Sequence, residues 1–198
     1  MISCILLAAG LSSRFGFPKA LARLSGENII GHIQKTLTAS AIDEIIVVLG
    51  AEVDLIKSHL LNHSKVRFVY NKDYNLGQTS SIQCAVRQIS KESRGMMLWP
   101  VDYPFIKTET VNLLMEVFKE NPSVVLVPAY ESRRGHPPIF AATLYQEILG
   151  LDHTQGVNSL YQKDPARVKT FAVDDPGILA TFNTPIEFTE LVERFCEK

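Results

Sequence analysis

The sequence predicts an α/β fold of three layers, built on a mixed but mostly parallel twisted sheet. Three observations carry that expectation. Strand-like and helix-like segments alternate along the chain, the pattern of strands joined by crossover helices. Ile45-Ile46-Val47-Val48-Leu49 is an unbroken, mostly β-branched run, which suits a parallel strand covered on both faces. Finally, the apolar opening run breaks at Ala8-Ala9-Gly10 into a loop of small residues. An open α/β sheet places an anionic ligand at such a loop, outside the carboxyl ends of its strands.

Taken in order, Ile2–Ala8 reads as the first and central strand. The loop behind it holds Gly10, Ser12, Ser13, Arg14, Gly16 and Lys19. Small side chains let a phosphate reach backbone N–H groups, and the two cations neutralise it. Asn28–Ser40 carries Ile29, Ile30, Ile33 and Leu37 at helical spacing. Ala51–Leu61 reads as a short helix and Val66–Tyr70 as the third strand. A turn-rich stretch over Asn71–Ile82 then runs into a helix through Gln83–Ile89. Its Thr79, Ser80 and Ser81 either cap that helix or face a ligand.

Gly95–Trp99 is the fourth strand. Asp102 leaves it between Pro100 and Pro104, held rigidly at the carboxyl edge of the sheet. It either caps the next helix, Thr108–Phe118, or leaves that role to Thr108 and stays free. Val124–Val127 is a fifth strand. Glu131–Phe140 then forms a polar, basic turn into a short strand. There Arg133, Arg134 and His136 are either solvated or placed to receive a phosphate, for which arginine is suited. Thr143–Leu149 and a segment ending at Gln162 read as helices, and Val168–Val173 as the last strand. After a turn over Asp174–Gly177, Pro185 lies in the first turn of a C-terminal helix, with Asn183 or Thr184 as its N-cap.

A length of 198 residues suits one domain over 1–198, and an apolar fraction of 46% is enough for a sizeable core. Net charge is −1 with both signs interspersed, so neither nucleic acid nor a membrane surface is expected as a partner. No apolar stretch reaches the ~18 residues of a membrane span. The apolar start has no Lys or Arg before Arg14, unlike a secretory signal. Cys4, Cys84 and Cys196 are remote from one another, which predicts reduced thiols and a cytoplasmic protein. His59-x-x-x-His63 has metal-pair spacing but lacks the Glu of a zinc hydrolase, and no Gly-x-Ser-x-Gly elbow occurs. Asp73, Asp152 and Asp164 lie in polar turns and read as surface residues.

Two common phosphate loops do not fit. Lys19 follows Pro18 and precedes Ala20, which is not a Walker A, and Gly10 and Gly16 lack dinucleotide-fingerprint spacing. Instead, Leu7-Ala8-Ala9-Gly10-x-Ser12-x-Arg14-Phe15-Gly16-x-x-Lys19-x-Leu21 resembles the opening signature of nucleotidyltransferases that attach a nucleoside monophosphate to a phosphorylated substrate. Within them it most resembles the molybdenum cofactor cytidylyltransferase and guanylyltransferase branch, the MobA-like NTP transferases. The resemblance runs from Ile2 to about Phe188 and includes Asn71, Gly77, Ser80 and Ser81, the Asp-x-Pro at Asp102, the segment Gly135-His136-Pro137-Pro138-Ile139-Phe140, and Asn183-Thr184-Pro185.

The resemblance implies a three-layer αβα, Rossmann-like nucleotidyltransferase fold and a Mg²⁺-dependent transfer from an NTP that releases pyrophosphate. It implies that Leu7, Ala8, Ala9, Gly10, Ser12, Asn71, Gly77, Ser80 and Ser81 bind the nucleotide. Arg14, Lys19 and Asp102 would be catalytic, Asp102 and Asn183 would hold the metal, and Arg134 and His136 would face the acceptor. The Ala-Ala-Gly form favours CTP over GTP, and the branch implies molybdopterin as acceptor, with a molybdoenzyme or its chaperone as partner. Sugar- and alcohol-phosphate nucleotidyltransferases share that form and are the alternative enzyme class. A nucleotide-binding chaperone without turnover is the alternative outside enzymes. Four positions depart from the pattern. Gln78 stands where methionine is common, and Asn158 stands where cytidylyltransferases carry arginine. Thr181 and Asn183 replace two aspartates, although Asn still offers a carbonyl oxygen to a hard cation.

Overall fold

Seven consecutive residues, Ile2–Ala8, are buried without a break and form strand β1 of the computed structural model. The structure describes residues 1–120, 124–162 and 164–196. A small hairpin of β2 (Arg23–Leu24) and β3 (Glu27–Asn28) follows the first loop. Asn28 then caps helix α1 (Ile29–Thr38), its side-chain oxygen accepting the Gly31 N–H at 3.0 Å. Next come strand β4 (Glu44–Leu49), helix α2 (Val53–Lys57), strand β5 (Val66–Tyr70) and helix α3 (Gln78–Val86). Strand β6 (Gly95–Pro100), helix α4 (Thr108–Glu120) and strand β7 (Val125–Tyr130) continue the alternation. Two short strands, β8 (Arg133–Arg134) and β9 (Ile139–Ala141), precede helices α5 (Tyr145–Leu149) and α6 (Ser159–Gln162). Strand β10 (Val168–Ala172) and helix α7 (Pro185–Cys196) end the described chain.

The main sheet runs β10-β7-β9-β6-β1-β4-β5, with β8 paired to β7. β1 lies parallel between β4 and β6, and β5 and β10 are also parallel to their neighbours. Among the described residues only β9 and β8 run antiparallel in this sheet, so it is mixed and mostly parallel, as expected. Alternate residues of β1 feed two cores, because successive side chains of a strand point to opposite faces. Ile2, Cys4 and Leu6 pack with Ile30 and Ile33 of α1, Leu114 of α4 and Phe188 of α7. Ile5 and Leu7 pack with Ile82 and Ala85 of α3 and Ile148 of α5. These are the two helical layers. No helix of the described residues is long and apolar enough to cross a membrane.

Two local expectations need correction. Helix α3 begins at Gln78 rather than Gln83, so Thr79, Ser80 and Ser81 lie inside its first turn and do not cap it. Hydroxyl residues disfavour helix interiors because they compete for backbone partners. Here tertiary contacts absorb them, as when Thr79 Oγ1 donates to the Gln155 carbonyl at 2.5 Å. The start of α4 is likewise not secured by Thr108, whose hydroxyl donates to the Thr36 carbonyl at 3.3 Å. It is secured from the far end of the chain. Buried Asp175 accepts the Lys107 N–H at 2.9 Å, the Thr110 hydroxyl at 2.6 Å and the Gly177 N–H at 2.9 Å. A carboxylate there also complements the helix dipole.

Asp175→Ala is therefore expected to destabilise the fold, at roughly 1–3 kcal/mol for each buried donor left unsatisfied. Urea denaturation measures it. A midpoint equal to wild type would mean that water replaces the carboxylate at no cost.

Candidate active site

Four chain segments meet at the carboxyl ends of β1, β4 and β6. β1 delivers Ala8 and Ala9, both nearly buried, into the loop that ends at Lys19. Phe15 anchors that loop: its ring is buried and packs 5.2 Å from Phe182 and 6.0 Å from Phe188. Ser12 adopts a left-handed conformation (φ 52), and its carbonyl accepts the Phe15 and Gly16 N–H groups at 2.9 and 3.1 Å. The Ser12 hydroxyl accepts the Lys19 N–H at 3.1 Å, fixing where that lysine leaves the loop.

Asp102 follows β6 on a turn clamped from below. Buried Trp99 donates its indole N–H to the Tyr103 carbonyl at 3.0 Å, while the Val101 N–H reaches the Leu7 carbonyl of β1 at 3.0 Å. Asn183 arrives just before α7. Thr184 and Glu187 form a reciprocal capping box there: Thr184 Oγ1 accepts the Glu187 N–H at 3.3 Å, and the Glu187 carboxylate accepts the Asn183 and Thr184 N–H groups. Those bonds hold the Glu187 carboxyl below its usual range. Thr184 is thus the cap, and the Asn183 side chain is released from that duty.

The released amide oxygen is shared by two cations. Asn183 Oδ1 accepts from the Arg14 guanidinium at 2.9 Å and from Lys19 Nζ at 3.2 Å. Lys19 Nζ also donates to the Phe182 carbonyl at 2.6 Å and to Asp102 Oδ2 at 3.4 Å. Arg14, Lys19, Asp102 and Asn183 therefore sit together at one end of a cleft of about 400 Å³, within the range of small-molecule sites. Leu7, Ala8, Ala9, Gly10 and Ser12 line it on one side, Gly77 and Ser81 on another. Gly77 precedes α3 at φ 106, a backbone conformation that favours glycine.

A family description, the MobA-like NTP transferase domain, matches residues 4–168. The chain belongs to that family. The molybdenum cofactor cytidylyltransferase of Escherichia coli (strain K12) is 28% identical over 200 residues, spanning 99% of this chain and 98% of that protein. A probable molybdenum cofactor guanylyltransferase of Bacillus cereus (strain Q1) is 32% identical over 138 residues, covering 70% of this chain and 66% of that protein. In three dimensions, Rv0371c of Mycobacterium tuberculosis H37Rv, solved as a complex with manganese, superposes with a TM-score of 0.81 at 22% identity. That alignment covers 97% of this chain and 98% of the other.

Within this MobA-like fold, four of the sequence-predicted residues stand off the cleft. Asn71 is buried one layer behind it, donating to Ser80 Oγ at 2.9 Å and Ser81 Oγ at 3.0 Å. Ser80 Oγ lies 2.8 Å from the Gly77 carbonyl and 2.9 Å from that of Asp73, so it ties the loop to the helix. Arg134 is exposed on β8, its Nε donating to Thr170 Oγ1 at 3.2 Å. His136 lies near Asp102, its ring 4.4 Å from that of Tyr103. Burial pushes the His136 imidazole below the usual histidine range against the pull of Asp102. Burial, and then Asp102, raise the Tyr103 phenol.

Tyr74 and Gln78 line the cleft without having been singled out for it. For Tyr74 the signal was Gly50, where a Cβ would stand 2.5 Å from Tyr74 Cβ and 2.7 Å from the Ala9 carbonyl. Only glycine lets the loop lean on the exit of β1. The Phe182 carbonyl on Lys19 had no side-chain signal at all, being backbone. His59 and His63 do not form a pair: His59 Nδ1 bonds the Asn28 amide at 2.9 Å, and His63 Nδ1 accepts the Lys65 N–H at 3.2 Å.

Among the described residues, no three His, Cys, Asp or Glu side chains cluster as a metal site. The donors that fit a divalent cation are Asp102 Oδ2 and Asn183 Oδ1, which the Lys19 ammonium shows to face one point. One carboxylate and one neutral oxygen suit Mg²⁺, which keeps waters and takes further ligands from substrate phosphates.

Proposed function

We propose that the chain is a single nucleotidyltransferase domain that transfers CMP from CTP, with Mg²⁺, to the phosphate of molybdopterin. The observation that carries the reading is the convergence of Arg14, Lys19, Asp102 and Asn183 at one end of the cleft. Two cations, one anion and one amide oxygen make a triphosphate site without a nucleophile of its own. The cytidylyltransferase relative supports the base and acceptor, since its similarity spans 99% of this chain.

In this reading Ala8, Ala9, Gly77 and Ser81 wall the base and ribose, and Asn71 and Ser80 set the wall's position. Backbone N–H groups of the loop and Ser12 cradle the triphosphate. Arg14 faces the departing pyrophosphate. An oxygen of the acceptor phosphate attacks the α-phosphorus, and the bond to the pyrophosphate oxygen breaks. Lys19 stays with the charge that moves across the α-phosphate. Asp102 and Asn183 would hold a divalent cation, which when bound would supply Lewis-acid polarisation of the α-phosphate. Arg134 and His136 stand off the cleft, and in this reading they would meet the acceptor outside it. No covalent intermediate forms, and the catalytic power comes from placement and charge.

Thermal shift with CTP, GTP, UTP and ATP, each with and without Mg²⁺, tests the nucleotide. At 100 times its dissociation constant a ligand adds about 2.7 kcal/mol to stability. A Mg²⁺-dependent rise in Tm selective for CTP is expected, together with pyrophosphate release once molybdopterin is added. Selectivity for GTP would move the assignment to the guanylyltransferase side, which the Bacillus cereus relative represents. A CTP shift without pyrophosphate release would leave a nucleotide-binding protein. No shift at all would remove the nucleotide site.

A further inference from the structure

We propose that the Lys19 ammonium is the resident cation of the metal seat, and that it must leave before a divalent ion enters. Metal and nucleotide would then bind as a coupled pair. The inference rests on the reading of Asp102 and Asn183 as the cation's ligands.

An ammonium has three N–H donors, and Lys19 Nζ has three acceptors: the Phe182 carbonyl at 2.6 Å, Asn183 Oδ1 at 3.2 Å and Asp102 Oδ2 at 3.4 Å. Two of these are the oxygens assigned to the metal. Among the described residues, Lys19 is the ion-pair partner of Asp102, and its side chain is only 13% exposed. A divalent ion placed on the same two oxygens would meet a positive charge at contact distance, in a place where solvent screens poorly. The protein alone should therefore hold metal weakly.

A triphosphate changes both sides of that competition. Its oxygens give Lys19 another anionic partner within the same cleft, and they bring extra ligands for the metal. Whatever factor the nucleotide adds to metal affinity, the metal must add to nucleotide affinity, because binding free energies are reciprocal. Lys19 then changes partners instead of losing one: it leaves the carboxylate and follows the phosphates. The Phe182 carbonyl and the Phe182 ring, 5.1 Å from Nζ, keep the lysine tethered nearby.

Manganese binding to the nucleotide-free protein, read by the electron paramagnetic resonance of free Mn²⁺, tests this without turnover. Lys19→Met should bind Mn²⁺ about tenfold tighter than wild type, and Lys19→Gln should do the same if the apolar variant folds poorly. Adding Asp102→Asn to either should abolish the gain. Equal or weaker Mn²⁺ binding in both lysine variants overturns the inference. If CTP still recruits Mn²⁺ to wild type, and Asp102→Asn alone abolishes that recruitment, the site reading survives such a failure. A gain that persists after Asp102→Asn places the cation elsewhere and overturns both.

Discussion

Asp102→Ala is expected to lower kcat for pyrophosphate release by about 10²–10³-fold while the protein stays folded. The carboxylate is 24% exposed and contributes nothing to either core; among the described residues its ion-pair partner is Lys19. Removing it takes away the carboxylate of a seat whose other donor, Asn183, is neutral. A neutral oxygen cannot hold a hard divalent ion against water as a carboxylate does. Asp102→Asn keeps an oxygen and should fall between alanine and wild type. Pyrophosphate release at saturating CTP and Mg²⁺, with a melting curve on the same samples, decides the matter. Turnover near wild type in a folded Asp102→Ala protein would remove Asp102 from the reaction.

Lys19→Ala is expected to cost a similar factor, about 10²–10³, and more in kcat than in KM for the nucleotide. A charge that follows the α-phosphate acts where negative charge moves, and such contacts lower the barrier more than they tighten the ground state. Lys19→Arg should not restore activity. The acceptors surround Nζ on three sides, as around a point charge, whereas a planar guanidinium needs acceptors in its own plane. Losing Lys19 should thus slow turnover and at the same time tighten manganese. The opposite signs separate its role in the reaction from its hold on the metal seat. An enzyme with unchanged kcat after Lys19→Ala would refute the catalytic role outright.

Much of the architecture was legible in residue patterns. Strands Ile2–Ala8 and Val66–Tyr70 fall where the pattern predicts them, and helix α1 begins one residue after its predicted start, Asn28 being the cap. These are stretches where local propensity, periodicity and burial agree. The break after Ala8 was also legible, because small residues end the apolar run there, and the loop that follows lines the cleft. Where hydroxyl residues begin α3, local preference pointed away from helix, and burial against the 151–158 segment reversed it.

What the tertiary structure alone decided is the meeting of distant parts. Asn183 lies 164 residues from Lys19 and 169 from Arg14, yet its one amide oxygen serves both. That sharing depends on Glu187 and Thr184 closing the helix end by themselves, which frees Asn183. The strand β9 slots antiparallel between β6 and β7, although its sequence gives no direction. Asp175 secures a helix 65 residues away from it, and Asn71 turns inward to bind two serines instead of lining the cleft. A sequence by itself determines period, turn chemistry and which residues can carry charge, since those follow from neighbours along the chain. Which charge faces which is set by strand register and layer packing, and these exist only once the whole chain has closed on its core.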